Sequence, residues 1–231
     1  VVIILWFPTM VLVYLVPVPF DKGRYIIGWW FRRLGVAMAK VNPYWRFRRT
    51  GLRVADPRRP YVVVSNHESF ADILLISHLP FEMKWLSKVE ILKIPLIGWM
   101  MRMAGDIPIK RGFGPSAAEA MERCRASLRN RVSVIFFPEG TRSVDGNMLP
   151  FKDGAFRLAI EAGVPILPLA VAGTRTALPK HDWRFNPARA VVEVLPPIDT
   201  AGLTLEDLPQ LKERVRATIQ AARDALRAQL A

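Results

Sequence analysis

"YVVVSNHESFADILLISHL", residues 61–79, decides how this chain is read. A run of β-branched residues, too short for a helix, gives way at Asn66 to a polar turn, and an apolar period of three and four follows. That is a buried strand feeding a helix. Inside the turn, His67 and Asp72 stand five positions apart. On an ideal helix such residues do not share a face, so they meet only if His67 lies in the turn and Asp72 about one turn inside. Two readings fit. In one, His67 is a general base whose tautomer Asp72 fixes. In the other, Ser69 caps the helix, Asp72 favours its dipole and His67 is a turn residue. The residues alone leave both open.

Working outward, the strand–helix alternation repeats. "MKWLSK" (83–88), "DIPI" (106–109), "VSVIFF" (132–137), "VPILPLAV" (164–171) and "AVVEVL" (190–195) read as strands. "SAAEAMERCRASLRN", with Ser116 as its cap, "GAFRLAIEAG", ended by Gly163, and the charged segment from Leu205 read as helices. "VEILKIPLIGWMMRMAG" carries helical runs interrupted at Pro95. The pattern predicts an α/β domain with a mostly parallel central sheet flanked by helices. Ligands of such sheets bind beyond the carboxyl ends of the strands. The loops after "YVVVS", "DIPI" and "VIFF" are therefore the expected site.

The N-terminus is different in kind. "VVIILWFPTMVLVYLVPVPF" (1–20) holds no charge, and Pro8, Pro17 and Pro19 argue against one straight spanning helix. A signal peptide is the alternative reading of this run, although no small-residue cleavage site follows it. From Tyr25 to Val41, apolar Ile27, Trp30, Phe31, Leu34, Met38 and Val41 recur at helical spacing, with Arg32, Arg33 and Lys40 opposite. That pattern suits a membrane interface, and the alternative is a helix covering the domain's core. Residues 1–45 are expected to be a two-helix membrane anchor, half-inserted and separable from an α/β unit over 46–231. Basic residues after the first segment favour the cytoplasmic side.

Thirty-three Lys and Arg against 20 Asp and Glu leave a net charge of +13 among 231 residues, which calls for an anionic partner. No nucleic-acid-binding signature accompanies it, and the uncharged N-terminus favours a lipid surface. The lone Cys124 excludes an internal disulfide. His67, His78 and His181 are too scattered for a metal site, and "HESFA" fails the HExxH zinc pattern at Ala71. "GFGPSA" (112–117) imitates a dinucleotide fingerprint, but Pro115 and the basic pair before it count against that. No G-x-S-x-G nucleophile elbow occurs.

"FFPEGTRS" (136–143) leaves a strand carrying Gly140 for close backbone approach, the Thr141 and Ser143 hydroxyls, and Arg142 as a planar fork for an anion. Glu139 there would repel a phosphate, so it is expected to orient a basic group. "GDIPIKRG" delivers Lys110 and Arg111 past a strand, and "FKDGAF" puts Lys152 before a helix.

Together these stretches resemble the glycerolipid acyltransferase family, typified by the 1-acylglycerol-3-phosphate O-acyltransferases, over roughly residues 60 to 175. His67 and Asp72 match its H-x-x-x-x-D block. "KVEILKIPLIG" with "GDIPIKR" resembles its second block, supplying Lys88 and Arg111. "FPEGTRS" is similar to the third and "VPILPLAV" to the fourth. The N-terminal pair also resembles the two-helix membrane motif of bacterial members.

The resemblance implies that His67 takes the proton of an acceptor hydroxyl attacking a fatty-acyl thioester, with Asp72 holding the ring. No covalent acyl-enzyme is needed. A helix N-terminus near His67 is expected to serve the thioester oxygen. Lys88, Arg111 and Arg142 would neutralise the acceptor's phosphate in a pocket shaped by Glu139, Gly140 and Thr141, with Lys152 as an extrapolation. The implied product is phosphatidic acid, for phospholipid biosynthesis on the cytoplasmic face of a bacterial inner membrane. The implied partners are lysophosphatidic acid, the bilayer, and acyl-CoA or acyl-acyl carrier protein as co-substrate, with no bound cofactor. Another lysolipid, a lyso-amino-lipid or glycerol-3-phosphate as acceptor, and a non-catalytic anionic-lipid binder, are the alternatives.

Overall fold

The computed structural model describes residues 1–16, 20–110, 114–143, 146–179 and 184–230. Two helices, α1 (Val2–Leu15) and α2 (Tyr25–Lys40), precede a seven-stranded sheet: β1 (Trp45–Gly51), β2 (Val62–Ser65), β3 (Met83–Lys88), β4 (Ile107–Ile109), β5 (Ser133–Phe136), β6 (Ile166–Ala172) and β7 (Ala188–Val194). Their order across the sheet is β1-β7-β6-β2-β5-β3-β4. Every neighbouring pair is parallel except β6 with β7. Helices α3 (Ala71–Ile76), α4 (Ile97–Ala104), α5 (Gly114–Arg129), α6 (Gly154–Ala162), α7 (Thr174–Ala177) and α8 (Leu208–Leu230) connect or cover the strands.

The strand expected at the centre is there for the reason its sequence gives. All four residues of β2 are buried, between β5 and β6. Alternation sends Val62 and Val64 into the layer with Phe156, Ile166, Val215 and Ile219, and Val63 into the layer with Leu75, Ile76 and Leu167. The helix after it is shorter than the apolar period predicts. Beyond Ile76 the backbone winds into tighter turns, with His78 N–H on Leu75 O and Leu79 N–H on Ile76 O, just before Pro80. Helix α5 starts at Gly114, ahead of the expected cap, and Ser116 Oγ instead accepts from Lys110 N at 2.9 Å. The end of α6 at Gly163 follows expectation, with Gly163 left-handed at φ 60°. Strand β1, "WRFRRTG", and the short α7 have no counterpart among the sequence expectations.

The N-terminal helices are present, but α2 is covered on part of its expected basic side as well as on its apolar one. Arg32, expected toward solvent, is 6% exposed, pairing with Asp106 and with Glu82 Oε2 at 3.4 Å. Lys84 Nζ completes the cluster, donating to Glu82 Oε1 at 3.1 Å and to the carbonyls of Arg24 and Ala104. Burial pushes Glu82 up and Lys84 down, and the mutual pairing opposes both. Gly28 lets α2 approach, since a Cβ there would lie 2.1 Å from Glu82 Oε1. Arg33 reaches the carbonyls of Ser77 and Leu79. Outside α2 lies α1, whose Trp6 stacks on Trp30 at 4.8 Å, with Met10, Ile27, Leu34 and Met100 forming the seam. Pro8 sits inside α1, and Pro17 and Pro19 fall outside the described residues. At 14 residues α1 is about 21 Å long, short of a hydrocarbon core of about 30 Å. Among the described residues, no helix is long and apolar enough to cross a membrane.

Candidate active site

Beyond Ser65, Asn66 is locked edge-on to β6. Its side chain donates to Val171 O at 2.9 Å and accepts from Val171 N at 2.8 Å, which continues the sheet ladder by one amide. The chain then turns through His67 into α3. Asp72, fully buried, gathers the turn around itself. Its Oδ2 lies 2.8 Å from His67 Nδ1 and accepts from Glu68 N at 2.8 Å and Ser69 N at 3.0 Å. Its Oδ1 accepts from the Thr174 hydroxyl, delivered by the loop after β6.

A carboxylate surrounded by donors is an acceptor only, so the ring presents Nδ1–H to it and leaves Nε2 as the acceptor pole. The Phe137 ring stacks on the imidazole at 4.0 Å and 20°. The His67 side chain is 14% exposed, which suffices for one atom to meet a substrate. Both sequence readings of the turn therefore hold in part. Phe70 takes the cap position of α3, while Ser69 Oγ accepts from Ala71 N at 3.2 Å and donates to Leu178 O.

This helix start was expected to offer amides to an oxyanion, and three of its amides are engaged within the turn. The Glu68 and Ser69 N–H groups are directed at Asp72, and that of Ala71 at Ser69.

Glu139 receives a definite place against two backbone amides. Its Oε1 accepts from His67 N at 2.7 Å and its Oε2 from Leu149 N at 2.9 Å. Burial raises its pKa, and those two N–H bonds oppose the shift. Glu139 thus clips the turn of β5 to the turn of β2. Ser143 N adds a bond to His67 O at 3.2 Å. Gly140 has φ 73°, and a Cβ there would come 2.8 Å from Lys152 Nζ, so Lys152 lies against the turn as well. Thr141 is exposed and Arg142 half-buried. Lys88, exposed at the end of β3, lies two strands from β2 at the same edge of the sheet, paired in register with Ile109. Lys110 is exposed just past β4. Arg111 lies outside the described residues.

An apolar cavity of about 280 Å³ opens between α2, α3, β3 and α4 and reaches Phe70 at the start of α3. Leu34, Met38, Ile73 and Trp85 line it, Phe70 and Ile94 stand half-exposed at its rim, and Arg32 and Asp106 also border it. Phe70 follows His67 by three residues, and the Trp85 ring lies 6.0 Å from Phe137.

The sequence profile of the acyltransferase family matches residues 46–172, more than half of the chain. The chain belongs to the acyltransferase family. A similar relative is the mouse 1-acyl-sn-glycerol-3-phosphate acyltransferase alpha, 39% identical over 204 residues, covering 87% of this chain and 72% of the relative. The chloroplastic 1-acyl-sn-glycerol-3-phosphate acyltransferase BAT2 of Brassica napus is 38% identical over 161 residues, covering 69% of this chain and 46% of the relative. Among solved structures, the 1-acyl-sn-glycerophosphate (LPA) acyltransferase PlsC from Thermotoga maritima superposes with a TM-score of 0.73 at 30% identity. That match covers 85% of this chain and 80% of the other.

In this acyltransferase, sequence reasoning found His67, Asp72 and the Glu139–Gly140 turn, which the fold brings into one cluster. It missed Asn66, Phe137 and Thr174. Thr174 had a signal: it follows Gly173 at a strand end on the same edge. Gly173 has φ 88°, and a Cβ there would sit 2.0 Å from Arg189 O, so the turn requires glycine to deliver its threonine. Among the described residues, no group of three or more His, Cys, Asp or Glu could hold a metal ion.

Proposed function

We propose that this acyltransferase moves a fatty-acyl group from a thioester of coenzyme A or acyl carrier protein to the free hydroxyl of 1-acylglycerol-3-phosphate, forming phosphatidic acid at a membrane surface. The observation that carries the reading is the buried Asp72 carboxylate on Nδ1 of a histidine whose side chain keeps 14% of its surface exposed. His67 Nε2 takes the hydroxyl proton as that oxygen attacks the thioester carbonyl. The C–O bond forms, the C–S bond breaks, and the departing sulfur takes the proton back from the imidazolium. Asp72 stays ionised and holds the ring in one tautomer.

Arg142 and Lys88 serve the acceptor's phosphate, joined by Lys152 across Gly140 and by Arg111. Glu139, Gly140 and Thr141 shape that turn. The apolar cavity beside Phe70 suits an acyl chain. Residues 1–45 are the membrane anchor, and the exposed face of α1 (Ile4, Leu5, Leu12, Leu15) suits the apolar side of a bilayer interface. The basic residues that follow the first segment support docking on the cytoplasmic face of a bacterial inner membrane.

Membranes carrying the protein, given labelled acyl-CoA or acyl-acyl carrier protein and a panel of lysolipids, are expected to yield phosphatidic acid by mass. His67→Ala lowers that rate by about two to four orders of magnitude while membrane binding survives. Near-wild-type transfer by His67→Ala would sink the mechanism, and a product from another lysolipid would replace the acceptor.

A further inference from the structure

The inward stripe of α8 runs Leu208, Leu211, Val215, Ile219, Arg223, Leu226. An arginine takes a place that packing alone would give to a leucine. A guanidinium on a residue only 5% exposed needs partners to be tolerated there. Arg223 finds Asp224 Oδ1 at 2.8 and 3.0 Å and Gly146 O at 3.3 Å. One turn on, Arg227 Nη2 donates to the same Gly146 O at 2.8 Å and to Glu68 Oε1 at 2.6 Å.

Both targets lead to the dyad. Glu68 is 5% exposed, and its own amide is one of the donors to Asp72 Oδ2. Gly146 N donates to Ser143 Oγ at 2.9 Å, and Ser143 N donates to His67 O. One side chain of α8 thus grips the turn after β2 through residue 68 and the loop after β5 through residue 146. Gly146 has φ 91°, and a Cβ there would come 2.8 Å from Arg175 Nη1 and 3.4 Å from Arg227 Nη2. The loop turns at a glycine where the guanidiniums close in.

We propose that Arg227, acting through Glu68 and the Gly146 carbonyl, is a positioning residue that sets the His67–Asp72 geometry from outside the matched family region. It touches none of the reacting atoms in the proposed reaction. Its effect belongs on kcat, because a dyad displaced by a fraction of an ångström still admits the acceptor but transfers the proton less well.

The inference rests on the acyl-transfer reading only through its kinetic arm. Arg227→Met, Glu68→Gln, their double variant and Arg227→Lys are compared in the full chain, reconstituted in phospholipid, well below each melting temperature. Arg227→Met and Glu68→Gln are each expected to lower kcat about tenfold or more while KM for lysophosphatidic acid stays within about twofold. The double variant should be no slower than the worse single, as for two ends of one link. Arg227→Lys, which keeps the charge but not the fork, should fall between Met and wild type.

With 15N-histidine labelling, the His67 Nδ1–H resonance is expected to move or broaden in Arg227→Met. Unchanged kcat and an unchanged resonance would overturn the inference. So would losses that track the folded fraction and add in the double variant. Should Arg227→Met fail to fold, Glu68→Gln decides by the same two readouts. A wild-type protein inactive on lysophosphatidic acid sinks the proposed function instead, and the resonance still tests the positioning.

Discussion

Asp72 takes hydrogen bonds from two stretches of chain, the adjoining His67, Glu68 and Ser69 and the distant Thr174. The spacing of His67 and Asp72 was legible because the two belong to one turn. The amide partners of Glu139, on His67 and Leu149, were not legible because the folded chain supplies them. A carboxylate in a basic motif looks like an electrostatic partner until a backbone donor is found for each oxygen. Arg142 is a half-buried fork whose proposed ligand is the acceptor's phosphate. A charged hydrogen bond contributes about 1.5–3 kcal/mol. Arg142→Ala is therefore expected to raise KM for the phosphorylated acceptor about tenfold to a hundredfold, leaving KM for the thioester donor near wild type. Equal rises for both substrates, measured in one steady-state matrix, would assign Arg142 to the turn's structure.

Among the elements, α2 shows what periodicity can and cannot say. The helix and its bounds followed from spacing, and Ile27 and Leu34 are buried as that spacing requires. What covers the opposite side was not legible, because Glu82 and Asp106 come from β3's approach and from the residue before β4. The Arg32 cluster makes the helix part of the α/β unit's own packing. Removing one partner of a buried ion pair costs about 3–5 kcal/mol. Arg32→Leu should lower stability by that much, read as a fall in melting temperature. Deleting residues 1–41 removes Arg32 altogether, and the remaining chain is expected to aggregate rather than fold. A soluble truncated chain with a cooperative melt would show that the cluster is dispensable. Strand β1 escaped the sequence reading for a related reason. Its alternation of Trp45 and Phe47 with arginines is that of an edge strand with one buried face, and its partner lies far along the chain.

For the molecule as a whole, the sheet could be read from repetition of strand and helix, whereas its single antiparallel junction could not. Exposed apolar residues cluster on the outer helices, with Leu5 at 70%, Leu12 at 65% and Trp99 at 50%. A surface of that kind on a protein of net charge +13 suits anionic bilayers. Replacing Leu5, Leu12 and Trp99 together by Gln is expected to weaken binding to vesicles containing phosphatidylglycerol by about tenfold or more, with an unchanged circular dichroism spectrum. Full co-sedimentation of the triple variant would remove α1 and α4 from the docking face.

Strand β1 pairs along its whole length with β7, residue 45 opposite residue 188. A ribosome making this chain releases the first strand roughly 140 residues before its only partner exists. At about 5–20 residues per second, that strand waits on the order of ten seconds with Trp45 and Phe47 uncovered. Chaperone occupancy of nascent chains should peak in that interval and end once residue 194 has emerged.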